Sequence, residues 1–124
     1  MAKNNKGEEK GVILFVSSVA AEEAKTGTAA YGATKGALNA MMLPMARDLG
    51  RYHIRVAAIA PGIFDTPIGE SMSQTYVNSL IKNTPMGRPG HPSEFAQFCQ
   101  SVIENSYING VRLRIDGAIK LSHL

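Results

Sequence analysis

Three side chains suited to moving a proton to or from an alcohol stand near one another in this chain: Ser18, Tyr31 and Lys35. Tyr31 and Lys35 are four residues apart, so on a helix they share one face. A phenol is a poor base at its reference pKa of about 10. An ammonium group beside it favours the phenolate. A serine hydroxyl next to the pair can hold the oxygen of a carbonyl or an alcohol. Together the three describe a general acid/base site for interconverting an alcohol and a ketone. Tyr-x-x-x-Lys alone occurs on many helices, so the surrounding elements decide its meaning.

The apolar run Val12-Ile-Leu-Phe-Val16 reads as a buried parallel strand over 11–17. Open α/β sheets place their chemistry at the carboxyl ends of strands, where Ser18 stands. Glu22 to Thr28 is a polar connection, and Thr28 is a fair N-cap. A helix is expected over 29–49, with Gly50 as its stop. Within it, Gly36 costs about 1 kcal/mol relative to alanine, and Pro44 removes a backbone hydrogen bond, so a bend is expected. The small residues Ala29, Ala30, Gly32, Ala33, Gly36 and Ala37 allow another backbone to come close. A second strand, 54–60, ends at Pro61-Gly62, which completes a β-α-β unit with a right-handed crossover. Residues 68–83 read as a loop with a helix, mobile around Gly69, Ser71, Met72 and Ser73. Thr84 to Pro92 is a Pro/Gly-rich loop. Pro92 suits the first position of a helix that runs to about Glu104. Phe95, Ala96, Cys99, Val102 and Ile103 recur at spacings of three and four, so one face is core and Cys99 belongs to packing. After the turn at Asn109-Gly110, Val111 to Ile115 is the third strand. The fold class is α/β, with three parallel strands and helices.

At 124 residues the chain is one domain at most. Its 44% hydrophobic and 19% charged residues fit a globular protein. The formal charge of +3 comes from scattered Lys and Arg, against a nucleic-acid stripe. No apolar run approaches the roughly 18 residues of a membrane span. Cys99 is the only cysteine, so no internal disulfide forms. His53, His91 and His123 match no metal spacing, and Asp48, Asp65 and Asp116 form no readable carboxylate pair. No metal is expected. Residues 1–10 are a polar loop of mixed sign, with the character of neither a signal nor a transit peptide.

Ser18, a gap of twelve residues and Tyr31-x-x-x-Lys35 resemble the active-site pattern of the short-chain dehydrogenase/reductase family. Ile54-Arg-Val-Ala-Ala-Ile-Ala-Pro61-Gly62-Ile-Phe-Asp-Thr66-Pro67 is similar to that family's strand and Pro-Gly loop. Asn109-Gly110-Val-Arg-Leu-Arg-Ile-Asp116-Gly117-Ala118 resembles its last strand. The resemblance covers about residues 11–121 and only the carboxyl half of the family fold. Within the family, S-V-A-A, L-P-M-A-R-D-L, I-A-P-G-I-F-D-T-P, I-E-N-S-Y-I-N-G and R-I-D-G-A-I stand closest to the type 2 3-hydroxyacyl-CoA dehydrogenase branch.

The resemblance implies that 11–124 is a partial domain, the last three strands of a doubly wound Rossmann sheet. It implies NAD as cofactor, with NADP open, and no metal. Tyr31 would exchange the proton, Ser18 would hold the substrate oxygen, and Lys35 would assist Tyr31 and hold the ribose hydroxyls. Pro61, Gly62, Ile63, Phe64 and Thr66 would form the nicotinamide end of the site, through backbone groups near Ile63 and the Thr66 hydroxyl. The implied substrates are 3-hydroxyacyl-CoA thioesters or hydroxysteroids. Met72 would touch an acyl chain, or is simply a surface methionine. Helix 29–49 would pack on its copy in a homo-oligomer, or its small residues serve the sheet. A mitochondrial location is implied, and otherwise a cytoplasmic one.

The departures are specific. No G-x-x-x-G-x-G follows a strand in this chain. The acidic residue that holds an adenosine ribose and the family's catalytic asparagine have no counterpart. Phe15 stands where relatives often carry Asn, and Gly32 and Thr34 replace serines. His91 replaces an aspartate cap, which is expected to weaken the helix after it. Met1 therefore reads as an internal methionine of a longer protein. An unpaired first strand is expected to invite pairing along its edge. Two functions follow: an oxidoreductase carrying the active-site half, or a non-catalytic fragment or interaction module that has lost dinucleotide binding.

Overall fold

Strands β1 (Gly11–Val16), β2 (Ile54–Pro61) and β3 (Arg112–Ile115) form one parallel sheet in the order β1-β2-β3. They are seen in a computed structural model that describes residues 8–23 and 26–121. β1 pairs with β2 from Gly11↔Ile54 to Val16↔Ile59, and β2 with β3 from Ala58↔Arg112 to Pro61↔Ile115. The central strand is buried from Ile54 to Ala60, as a parallel strand covered on both faces must be.

The helices are α1 (Ala29–Gly50), α2 (Pro67–Glu70), α3 (Gln74–Lys82) and α4 (Pro92–Glu104). The period-two alternation of the strands divides the core between them. Val56 and Ala58, with Ile13 and Phe15, pack on Met42, Met45, Ala46 and Leu49 of α1. Ala57 and Ile59, with Leu14, Leu113 and Ile115, pack on Phe95, Phe98, Cys99 and Val102 of α4. Cys99 is half-buried in this layer, and burial pushes its thiol up. A third cluster, Val19, Leu80, Ile119 and Leu121, lies apart from both helix layers.

The expected elements are present, with informative differences at their ends. β1 stops at Val16, β2 takes in Pro61, and β3 begins at Arg112. α1 runs unbroken through Pro44. Gly50 is its last helical residue rather than its stop. Arg51 is the C-cap, and the left-handed conformation falls on His53, with φ 58°. Thr28 stands at the N-cap position with φ −106° and ψ 15°, and its side chain makes no capping bond. That backbone is not the extended one from which a hydroxyl caps. Residues 68–83 hold most of α2 and all of α3, and Ser73 Oγ caps α3 by accepting from Tyr76 N at 3.3 Å.

The expected weak start of α4 is corrected. Glu94 Oε2 accepts from His91 N at 2.7 Å, and His91 Nδ1 accepts from Ser93 N at 3.4 Å. The two side chains form a reciprocal cap. Arg88 donates to Glu94 Oε1 at 2.7 Å and holds that carboxyl down at about 2.

Arg55, only 5% exposed, was not singled out by pattern. It donates to the carbonyls of Val102, Ile103 and Ile108 at 2.7–3.0 Å and to Glu9 at 2.8 and 2.9 Å. It thus satisfies carbonyls at the carboxyl end of α4 that the helix itself leaves open. Residues 1–7 of the polar loop, 24 and 25 of the polar connection, and His123 lie outside the described residues.

Candidate active site

Ser18 begins where the β1 ladder ends. Ser17 N still donates to Ile59 O at 2.8 Å, and Ser18 then turns out of the sheet with extended backbone, φ −161° and ψ 153°. Its Oγ accepts from Ala20 N at 3.1 Å and so caps a single 3-10 turn, Val19–Ala21. A hydroxyl that accepts in this way still has its own proton to donate.

Tyr31 lies in the first turn of α1 and is 49% exposed. Lys35 follows one turn later, with Nζ 5.8 Å from the Tyr31 ring centroid. That ammonium donates to Val16 O at 2.8 Å, so it is anchored to the end of β1 with two further donors to spend. Ser17 Oγ donates to Lys35 O at 3.2 Å and ties the same helix turn to the sheet. Gly32 completes the fit, because a Cβ there would stand 3.3 Å from Ala20 O. Gly32 therefore admits a second backbone, that of the Ser18 turn.

The loop after β2 is held from two sides. Gly62 N donates to Ile115 O at 3.0 Å, and a Cβ on Gly62 would meet the Asp116 backbone at 2.9 Å. Gly90 N donates to Ile63 O, and Asp65 N to Gly90 O, both at 2.9 Å. The Phe64 ring fills the space over Gly90 and meets Phe95 edge-on at 5.6 Å. Thr66 precedes α2 in extended backbone and makes no side-chain cap to it.

Two clefts meet at Tyr31. One is lined by Ser18, Tyr31 and an apolar wall that includes Val19, Tyr76, Leu80 and Leu121. The other is lined by Tyr31, Lys35, Pro61, Gly62, Ile63, Phe64 and Thr66. Tyr31, Gly62, Ile63 and Met72 line both. The structure thus brings Ser18 and Tyr31 together on one side, and Tyr31, Lys35 and the whole Pro61–Thr66 set on the other. Lys35 is the one charged residue among those lining the second cleft. Its ammonium, the hydroxyls of Tyr31 and Thr66 and an apolar floor suit a flat amide-bearing ring with its ribose. No described segment offers the glycine-rich turn that would hold a pyrophosphate.

Sequence reasoning missed Ser17, Ile119 and Leu121, which shape the same region, because nothing in residue type marks them. Among the described residues no three His, Cys, Asp or Glu are grouped to hold a metal, and no helix is long and apolar enough to cross a membrane.

Comparison with known proteins bears on the family and the fold. A family model described as Enoyl-(Acyl carrier protein) reductase matches residues 1–119. The human 3-hydroxyacyl-CoA dehydrogenase type-2 is 45% identical over 118 residues, 94% of this chain and 45% of that protein. The 3alpha-hydroxysteroid dehydrogenase of Mediterraneibacter gnavus is 35% identical over 121 residues, 96% of this chain and 48% of that protein. The crystal structure of 3-hydroxyacyl-CoA dehydrogenase type-2 from Mycobacterium avium superposes with a TM-score of 0.87 at 37% identity, over 96% of this chain and 47% of that one. The chain spans about half the length of the relatives it matches. With this sheet order, these matches and the Ser18, Tyr31 and Lys35 constellation, the chain belongs to the short-chain dehydrogenase/reductase family.

Proposed function

We propose that this chain carries the proton-transfer site and the nicotinamide end of the cofactor site of an NAD(P)-dependent dehydrogenase. The reaction is the interconversion of a secondary alcohol and a ketone. The observation that carries this reading is the position of Tyr31, shared by a cleft that holds Ser18 and a cleft that holds Lys35 and the Pro61–Thr66 loop.

The Ser18 hydroxyl, oriented by its cap on the 3-10 turn, donates to the substrate oxygen and steadies charge that develops there. The Tyr31 hydroxyl gives or takes the proton on that oxygen. Lys35, fixed by Val16 O, places a positive charge beside the phenol and keeps donors for ribose hydroxyls. A nicotinamide cofactor held there would provide the hydride chemistry, its reduced form giving a hydride to the ketone carbon and its oxidised form accepting one from the alcohol carbon. NAD is the cofactor we favour, with NADP the other candidate. A 3-hydroxyacyl-CoA thioester or a hydroxysteroid is the substrate class, supported by the names of the relatives and by the apolar wall beside Ser18.

A second reading has its own support. Among the described residues no glycine-rich turn follows a strand, and β1 is paired on one side only. A non-catalytic interaction module would have both features. The two readings separate in one experiment on the purified chain, with acetoacetyl-CoA and NADH or NADPH, following cofactor absorbance. The oxidoreductase reading expects turnover that Tyr31→Phe lowers by about 10²- to 10⁴-fold. No turnover, together with no heat of NAD or NADP binding at millimolar concentration, would establish the non-catalytic reading for this chain.

A further inference from the structure

The apolar wall beside Ser18 is assembled from three distant segments. Val19 comes from the 3-10 turn, Leu80 from α3, and Ile119 and Leu121 from the segment after β3. That last segment reverses direction at Gly117 and Ala118, which have φ 58° and 63°. Ile119 N donates to Asp116 O at 3.1 Å across the turn, but alanine resists this left-handed conformation, and charged side chains brace it. Glu23, two residues past the 3-10 turn, accepts from Arg114 Nη1 at 2.6 Å through Oε1 and from Leu121 N at 2.8 Å through Oε2. Arg114 Nε donates to Asp116 Oδ2 at 2.6 Å, and Asp116 Oδ1 accepts from Ala118 N at 2.9 Å. Arg114 Nη2 reaches Ile119 O at 3.4 Å. Lys120 N adds a contact with Asn83 O at 3.3 Å, at the end of α3.

Glu23 is thus the point where the Ser18 turn grips the segment that carries Ile119 and Leu121. We infer that Glu23 is a positioning residue which pins residues 116–121 against the Ser18 turn and thereby gives the cleft its preference for substrates with a long apolar body. It touches no reacting atom. The inference rests on the reading of that cleft as the substrate side of the site.

Calorimetry on the full chain with octanoyl-CoA and acetyl-CoA tests it, alongside amide hydrogen exchange at Ile119, Lys120 and Leu121. The probe is the ratio of the two affinities, which a change in the folded fraction alone would not move. Wild-type protein favours octanoyl-CoA. In Glu23→Ala that preference falls about ten-fold, while acetyl-CoA affinity changes by less than about two-fold. Amide protection at 119–121 falls with it. Glu23→Gln keeps an oxygen for Leu121 N but not the charge, and it loses an intermediate share of the preference. It also serves should Glu23→Ala fail to fold. An unchanged ratio, unchanged protection, or no wild-type preference for the octanoyl chain overturns the role of Glu23. Absence of NADH turnover by a wild-type protein that shows the Glu23 effect would instead defeat the oxidoreductase reading and leave this one standing.

Discussion

Ser18 carries two duties on one hydroxyl, and they can be separated. As an acceptor it caps the 3-10 turn through Ala20 N. As a donor it is free in geometry to hold a substrate oxygen in the cleft it shares with Tyr31. Ser18→Ala removes both. Loss of the cap is expected to lower unfolding free energy by about 1 kcal/mol. Loss of the donor is expected to lower kcat by about 10²- to 10³-fold. Urea titration and NADH turnover measure these independently, and a stability loss with unchanged turnover would reduce Ser18 to a cap. Ser18, Tyr31 and Lys35 were legible in the sequence because their chemistry follows from residue type and spacing. Their anchors were not. Nothing in the spacing shows that Lys35 is fixed by Val16 O or that Ser17 holds Lys35 O. Those bonds depend on how closely α1 approaches the end of β1, which is a fact of packing.

The elements show the same division. Strands and helices could be read because each repeats its own period: two along β2, three and four along α4. The bonds that join elements follow no period. Arg55 meets Glu9 across 46 residues, and Arg114 meets Glu23 across 91. The start of α4 was misread because His91 was judged by type, whereas Glu94 and Ser93 make it half of a reciprocal cap. Gly62 illustrates a requirement of the join between β2 and β3. Its φ is not left-handed, so what it needs is space: a Cβ would meet Asp116 Cα, Cβ and O at 2.9–3.1 Å. These are backbone and short side-chain atoms that cannot swing aside. Gly62→Ala should therefore cost about 1–3 kcal/mol by overpacking, read as a lower urea midpoint. It should also push the Ile63–Thr66 loop away from Tyr31 and weaken nicotinamide binding beyond the loss of folded protein. A variant as stable as the parent would show that the Asp116 backbone yields.

At the scale of the molecule, three carboxylates sit at junctions that the core does not cover. Glu9 joins the approach to β1 to Arg55 and through it to α4. Glu23 joins the Ser18 turn to Arg114 and Leu121. Glu94 joins α4 to Arg88 and to the loop that braces Phe64. Each is held below the ordinary carboxylate value. The Arg55 hydrogen bond does so for Glu9, the Leu121 amide and then Arg114 for Glu23, and Arg88 and then His91 N for Glu94, which is brought to about 2. The sign follows directly. A group whose folded value is depressed stabilises the fold above its unfolded value and loses that contribution as pH falls through the folded one. Stability should therefore be flat above about pH 5 and decline below it, with the Glu94 share persisting furthest, toward pH 2. The Arg88–Glu94 pair is exposed on both sides, so added salt should weaken it more than the Arg55 contacts, whose guanidinium is buried. Thermal melts followed by circular dichroism from about pH 7 to 3, at low and high salt, check both statements. A melting temperature that holds steady across that range would mean the apolar layers alone secure the junctions, and that the Glu9, Glu23 and Glu94 contacts add nothing to the fold they bridge.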